Sequence, residues 1–372
     1  MRALPPALQH ALRDDGENLS FLVVRLGALG DILRTIPPVR LLRRALPRAT
    51  IRWVLDDRWR IALEGLADID EILPLPRRDW ERRARSPVGW PGLLRSIGAF
   101  RTRLRRTRTD IVLDFHGNLR SGIVGWFSAA PVRLGYAGHQ QKEGNRWFTT
   151  HRVAVGQRRT PRMERNLELI RALGIPDQPL PIGELPLARD GAAEARRIAE
   201  EICGASASLA VIAPGVSAAQ AHKKPPPALL AAACRRLATR GVTPLIVWGP
   251  GEESDARRVL QHAPRESILA PATDLRTLAG LLARARMFVG GDTGPLHMAC
   301  ALGCPVLAMY GSTDPLVNSP WGVASRSVFP PGRRYTGVKK LDRESGGFGG
   351  LTPEQVETAV DELLAETARR GK

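Results

Sequence analysis

Several absences narrow the reading of this 372-residue chain. It holds four cysteines, Cys203, Cys234, Cys300 and Cys304, and no two are spaced as C-x-x-C. The paired-thiol motif is therefore missing, and a reducing, cytoplasmic compartment is expected. No run of about 18 apolar residues occurs, so no segment is expected to span a membrane. The opening MRALPPALQHALRDDGENLS lacks the apolar core of a signal peptide and carries two prolines and an acidic cluster. Neither G-x-G-x-x-G nor G-K-[ST] follows the first apolar strand, which sets aside the dinucleotide fingerprint and the P-loop. Acid is also scarce: 37 Asp and Glu face 55 Lys and Arg, a net charge of +18 and a pI near 11.0. So basic a chain is expected to meet a polyanion, whether nucleic acid, an anionic membrane surface or a phosphorylated substrate. The plainer alternative is that the arginines solvate the surface.

What is present is ordinary globular material, 43% apolar and 25% charged, and enough of it for two cores. The stretch Met287–Asp314 organises the rest. Met287–Gly290 reads as a buried strand, Gly291-Asp292-Thr293-Gly294 as a turn, and Pro295 as the first turn of a helix. Pro305 opens a second strand, Val306–Tyr310, followed by Gly311-Ser312-Thr313-Asp314. A strand, a glycine turn and a helix N-terminus together offer unpaired backbone N–H groups and about half a positive charge, which suits an anion. The same pattern also describes a plain α/β corner without a ligand.

The chain has two halves of this kind. The first opens with the apolar strand Phe21–Val24, then Arg25-Leu26-Gly27-Ala28-Leu29-Gly30-Asp31, then a helix. Asp31 is thereby placed at the C-terminal edge of a sheet, where open α/β sheets bind ligands. N-capping the helix is its alternative role. Strands follow at Thr50–Leu55 and Ile111–Phe115, the latter leading into His116-Gly117-Asn118-Leu119-Arg120-Ser121. Asp68-Ile69-Asp70 matches the D-x-D of metal-dependent glycosyltransferases, but it abuts Ile72-Leu73 and reads as a solvated turn. The run Arg77–Arg108 is rich in arginine, with Trp80 and Trp90 interleaved. It suits an anionic substrate or membrane surface, or is a solvated helix face. The stretch 173–191, rich in proline, glycine and acid, marks a domain boundary.

The second half repeats the pattern. Strand Leu209–Ala213 leads to Pro214-Gly215-Val216-Ser217 and a loop bearing Lys223 and Lys224. Strand Leu245–Trp248 leads to Gly249-Pro250-Gly251-Glu252-Glu253. Thr352-Pro353-Glu354-Gln355 is a capping box that opens the last helix.

Four of these pieces, in this order, resemble the ADP-heptose:lipopolysaccharide heptosyltransferases. They are Leu26–Asp31 with Pro37; Pro214–Ser217 with a following lysine; Trp248–Glu253; and Gly291–His297 with Tyr310–Pro315. The resemblance implies an α/β GT-B fold: two Rossmann-like domains facing a central cleft, the C-terminal helix crossing back. The expected divisions are a flexible extension over 1–18, an acceptor-binding domain over 19–180 and an ADP-sugar-binding domain over 181–338. Residues 339–372 are expected to form a mobile glycine-rich segment and a helix that packs back on the N-terminal domain. The implied reaction is an inverting, metal-independent heptose transfer from ADP-heptose to a lipid A-linked inner-core acceptor. No metal or cofactor is implied beyond the donor substrate. The implied location is cytoplasmic, peripheral on the inner face of the inner membrane, with no nucleic acid partner.

By the same resemblance Asp31 is the catalytic base. Ser217, Lys223, Glu252, Asp292, Thr293, Gly294 and His297 bind the donor, and Gly30 and Arg120 the acceptor. Glu252 would hold the ribose diol and Asp292 the heptose hydroxyls. His297 either reaches a phosphate or braces its turn. The family's Lys-x-Trp-Pro reads Lys223-Lys224-Pro225-Pro226 here, which leaves Lys223 and Lys224 as alternatives. Two other readings remain: a GT-B transferase of cell-surface polysaccharide synthesis using another nucleotide sugar, and a non-catalytic basic binding protein.

Overall fold

A computed structural model describes residues 4–12, 17–204, 208–216, 218–344 and 347–370. The chain divides into two compact units, Met1–Pro181 and Ile182–Lys372. In the first unit, six parallel strands run β1 Ser20–Val24, β2 Thr50–Asp56, β3 Glu71–Leu75, β4 Ile111–Asp114, β5 Val132–Tyr136 and β6 His151–Val153. Their order across the sheet is β3-β2-β1-β4-β5-β6. In the second unit, β7 Ser208–Ala213, β8 Val242–Ile246, β9 Ile268–Leu269, β10 Met287–Gly291, β11 Val306–Met309 and β12 Ser325–Val328 lie in the order β12-β11-β10-β7-β8-β9. Counted from each unit's first strand, the two orders are the same. This is the doubly wound Rossmann arrangement, which reverses direction beside the first strand.

Local chemistry accounts for these elements. The central strands β1, β4, β10 and β11 are buried throughout, because helices cover both faces of a parallel sheet. Helix Ile36–Ala45 opens on Ile36-Pro37-Pro38, where the missing N–H groups cost no helical bond. Helix Leu275–Arg284 starts at Asp274, whose side chain accepts from the Thr277 N–H at 2.7 Å. The capping box of helix Pro353–Arg370 forms as the sequence indicates. The Thr352 N–H donates to Gln355 Oε1 at 2.9 Å, and the Gln355 N–H to Thr352 Oγ1 at 3.4 Å.

Two expectations about the C-terminal end differ from the structure. The last helix spends its apolar face inside the second unit: Val356, Val360 and Leu363 are fully buried in the cluster that holds Leu230, Cys234 and Leu237. Asp361 on that helix pairs with Arg236 and Arg240 of helix Pro227–Thr239. The glycine-rich stretch read as mobile is anchored on both sides of residues 345 and 346, which lie outside the described residues. Asp342 accepts from the Thr336 N–H at 2.7 Å, and Phe348 is buried in the same core cluster. At the other end, the extension read as flexible contains a short helix, Pro6–Ala11. No helix among the described residues is long and apolar enough to cross a membrane.

Candidate active site

Strand order reverses between β1 and β4 in the first unit, and the loops leaving those two strands enclose the crevice where such sheets bind ligands. Val24 pairs with Asp114 in register, so Arg25 and Phe115 leave the sheet side by side, and the Arg25 guanidinium donates to the Phe115 carbonyl. Asp31 stands in the first turn of the short helix Leu29–Leu33 that follows. Its Oδ1 accepts from Arg34 Nη1 and Arg162 Nη1, each at 2.9 Å, and its Oδ2 pairs with Arg25. Arg34 lies three residues on, so helical spacing accounts for it; Arg162 arrives from helix Arg162–Arg171. That helix is tied down by Asn166, which donates to the Arg34 carbonyl at 3.2 Å and accepts from the Tyr136 hydroxyl at 2.8 Å. Thr35 Oγ1 donates to the Asp31 carbonyl at 2.8 Å.

The loop after β4 is built around Asp114. This buried carboxylate accepts from the N–H groups of His116 and Gly117, the Ser121 hydroxyl and the Asn145 amide, at 2.7–3.0 Å. Burial raises its pKa against those four donors. Gly117 takes a φ of +73°, and a Cβ there would meet the Gln140 carbonyl oxygen at 3.1 Å, so the turn needs glycine. His116 is thereby held beside Arg25. Burial, and then the Arg25 charge, push its pKa down to about 3, so the ring is neutral. Lys142, on the loop that caps Gly117, has its pKa lowered by burial and by neighbouring Arg162 and Arg165. Asp31 is thus set among the cations Arg25, Arg34 and Arg162, while the second carboxylate of this edge, Asp114, is enclosed by neutral donors. The exposed Arg120 stands on the first turn of helix Leu119–Phe127 at the same edge, and Gly30 is buried beside Asp31.

The second unit repeats the construction between β7 and β10, where Gly290 pairs with Ala213. Asp292 leaves β10 and is 4% exposed. Lys223 Nζ lies 2.9 Å from Asp292 Oδ2 and 3.1 Å from the Asp292 carbonyl oxygen; His297 Nε2 lies 3.4 Å from Oδ1. Lys224 turns away, to Asp255 Oδ2 at 2.6 Å. The structure thus places the Lys223 side chain against the Gly291–Gly294 turn and the Lys224 side chain against Asp255 of helix Glu253–His262. A Cβ on Gly291 would sit 2.8 Å from the Lys223 carbonyl oxygen, so this loop can close onto β10 only over a glycine. Thr293 precedes helix Gly294–Ala301 but makes no side-chain cap, and its hydroxyl donates back to the Gly291 carbonyl at 3.4 Å. The first-turn N–H groups therefore lack a side-chain acceptor from their N-cap.

Glu252 covers the neighbouring edge. Its Oε2 accepts from the Gly249 N–H at 3.1 Å, and a Cβ on Gly215 would come within 2.0 Å of that oxygen. Ser217 lies outside the described residues. Asp292, Thr293, Gly294, His297, Lys223 and Glu252 therefore gather along one sheet edge. Asp31, Gly30 and Arg120 gather along the other unit's equivalent edge. The residues that sequence reasoning passed over are Arg25, Arg34, Arg162 and Lys142. Arg34 alone had a signal, its i+3 spacing from Asp31. The two acids of the D-x-D bond to arginines: Asp68 accepts from Arg40 at 3.1 Å, and Asp70 from Arg43 at 2.5 Å and from the Ile51 N–H at 2.6 Å.

Two parallel α/β units of this strand order, each carrying charged loops at its switch point, have the GT-B fold, the architecture of the solved heptosyltransferases that match this chain. Among solved structures, the family 9 glycosyl transferase of Veillonella parvula matches with a TM-score of 0.71 at 21% identity, covering 94% of this chain and 98% of that one. Escherichia coli heptosyltransferase WaaC with ADP-2-deoxy-2-fluoro heptose matches at 0.68 and 21% identity, covering 92% and 99%. The chain belongs to glycosyltransferase family 9, the heptosyltransferase family, whose model matches residues 97–345. It is 27% identical over 366 residues to lipopolysaccharide heptosyltransferase 1 of Pseudomonas aeruginosa, covering 92% of this chain and 97% of that one. The Escherichia coli K12 protein of the same name is 26% identical over 308 residues, covering 79% and 88%.

Proposed function

We propose that this enzyme transfers heptose from ADP-heptose to a lipid A-linked inner-core acceptor of lipopolysaccharide, with inversion and without a metal, on the cytoplasmic face of the inner membrane. The acceptor hydroxyl oxygen forms the new bond to the anomeric carbon, and the bond from that carbon to the β-phosphate oxygen breaks. The hydroxyl proton passes to Asp31, and ADP departs with the bonding pair. Asp31 suits the base role because it is a carboxylate whose orientation Arg25, Arg34 and Arg162 fix. Arg120 and Lys142 line the same edge, which suits an acceptor bearing carboxylate or phosphate groups.

In the second unit, charge gathers on the diphosphate as the sugar takes on oxocarbenium character. Lys223 and the N–H groups opening helix Gly294–Ala301 are the donors for that charge. Glu252 would take the ribose diol, Asp292 the heptose hydroxyls and Ser217 a phosphate oxygen. His297, buried 3.4 Å from Asp292, serves to brace that carboxylate. The observation that carries the reading is the Lys223–Asp292 pair beside a helix start without a side-chain cap, at the switch point of a family 9 chain.

The test is ADP release from purified protein given ADP-heptose and lipid A-core acceptor in excess EDTA, for wild type and Asp31→Ala. We expect turnover in EDTA and a loss of at least about 10³-fold in the variant, since base catalysis and positioning are removed together. Wild-type turnover that EDTA abolishes would overturn the metal-independent step. Tight ADP binding with no turnover would redirect the donor to another ADP-sugar.

A further inference from the structure

The arginine run seen in the sequence folds into a helical hairpin that has two unlike sides. Helices Arg77–Ala84 and Trp90–Arg106 are joined through Pro87–Gly89. The inner side is settled: Trp80 packs edge-on against Phe100 at 5.7 Å, donates from its ring nitrogen to Ser96 Oγ at 2.8 Å and joins the core of the first unit. The outer side carries the tip. Val88 is 91% exposed, Trp90 55% and Leu94 69%, and they are adjacent by chain and helical spacing. Trp90 has its ring N–H turned to the Ala84 carbonyl at 3.4 Å, which leaves its apolar faces as the exposed part. The turn is tight: a Cβ on Gly89 would meet the Arg83 carbonyl oxygen at 2.3 Å, so the tip is a shaped feature.

Single exposed apolar residues are ordinary on protein surfaces; three together about one exposed turn call for a partner. Charge identifies it. Residues 77–108 hold eleven arginines against two carboxylates, Asp79 and Glu81, a local charge of +9. Those two carboxylates pair with Arg77, Arg82 and Arg83. Arg85 and Arg95, which flank the tip, are exposed and make no ion pair among the described residues. An apolar wedge rimmed by arginine matches the boundary between anionic headgroups and acyl chains, where tryptophan concentrates. A nucleic acid would use the arginines but leave Val88 and Leu94 without a role.

We propose that the hairpin is a membrane-docking element: Val88, Trp90 and Leu94 enter the headgroup boundary of an anionic bilayer, and the flanking arginines hold lipid phosphates. This deepens the membrane location proposed above, and its test needs no acceptor or donor. A failure of heptose transfer and a failure of docking are therefore read separately.

The experiment is co-sedimentation of the full chain with phosphatidylcholine vesicles, with and without about one-third phosphatidylglycerol, with brominated acyl chains as a quencher of tryptophan. We expect salt-sensitive binding to the anionic vesicles and quenching that the Trp90→Phe variant loses in large part while still binding. Replacing Val88, Trp90 and Leu94 together by serine should weaken binding at least about tenfold. Arg85→Gln with Arg95→Gln should weaken it by roughly a further order of magnitude. All five side chains are exposed, so an unchanged melting temperature is the folding control. Equal binding of wild type and the serine variant, or quenching unaltered in Trp90→Phe, would overturn the proposal. Displacement from vesicles by RNA, with the serine variant binding RNA and vesicles as wild type does, would overturn it in favour of a nucleic acid.

Discussion

The two lysines of the donor loop give a sharp test of the second-unit site. Lys223 reaches the buried Asp292 at 2.9 Å, whereas Lys224 pairs with Asp255 on the adjoining helix. Lys223→Met keeps the aliphatic stem and removes the charge, leaving Asp292 with His297 at 3.4 Å. Breaking a fully buried ion pair costs about 3–5 kcal/mol. Lys223 keeps some solvent contact and His297 remains, so about 2 kcal/mol of stability is the expected loss. The kinetic effect should be larger: removing one group that stabilises the departing charge lowers turnover about 10²–10³-fold. Lys224→Met breaks a partly exposed pair, worth about 0–1 kcal/mol, and should leave turnover within about twofold. ADP release under saturating substrates gives turnover, and urea denaturation gives stability. If Lys224→Met loses as much turnover as Lys223→Met while both stay folded, the assignment of the phosphate-facing lysine is refuted.

Two further outcomes follow from other contacts. Gly215→Ala places a methyl group where Glu252 Oε2 now lies; the long Glu252 side chain can swing aside, so ADP affinity by calorimetry should fall about tenfold with the fold nearly unchanged. Asp361, held by Arg236 and Arg240, has its pKa pushed down to about 2, below its unfolded value near 3.8. The stability it contributes is therefore present above pH 4 and is lost as pH falls from about 4 through about 2. Asp361→Asn should cost about 1 kcal/mol at pH 7, and the difference from wild type should vanish by about pH 2 in denaturant titrations.

The central strands were legible because they are unbroken apolar runs: Phe21–Val24, Ile111–Leu113 and Met287–Val289 have no polar alternation to mistake. Edge strands were not. β9 has two residues, β6 three, and β12 is Ser-Arg-Ser-Val, so none is long or apolar enough to show a period. The second-unit residues were legible because short glycine motifs place them just after strands. The cations around Asp31 were not, since Arg162 enters from a helix 131 positions away and nothing in its own neighbourhood marks it. The lysine choice was also beyond spacing, because adjacent residues on a short turn point to different partners. The destination of the last helix was misread on the family's pattern: its amphipathic face fits the cluster around Cys234, which no local sequence reveals.

The grip of helix Arg162–Arg171 on Asp31 has a consequence for how the enzyme fails. Arg162 holds the carboxylate, and Asn166 on the same helix holds the Arg34 backbone and the Tyr136 hydroxyl. Fraying of this helix would take Arg162 from the carboxylate and leave Arg25 and Arg34 as its partners while the β1–β4 core stays intact, because local opening requires less free energy than global unfolding. Heat inactivation should then run ahead of melting to the extent that this helix, seated by Leu169 and Ile170 as well as by Asn166, opens before the sheet does.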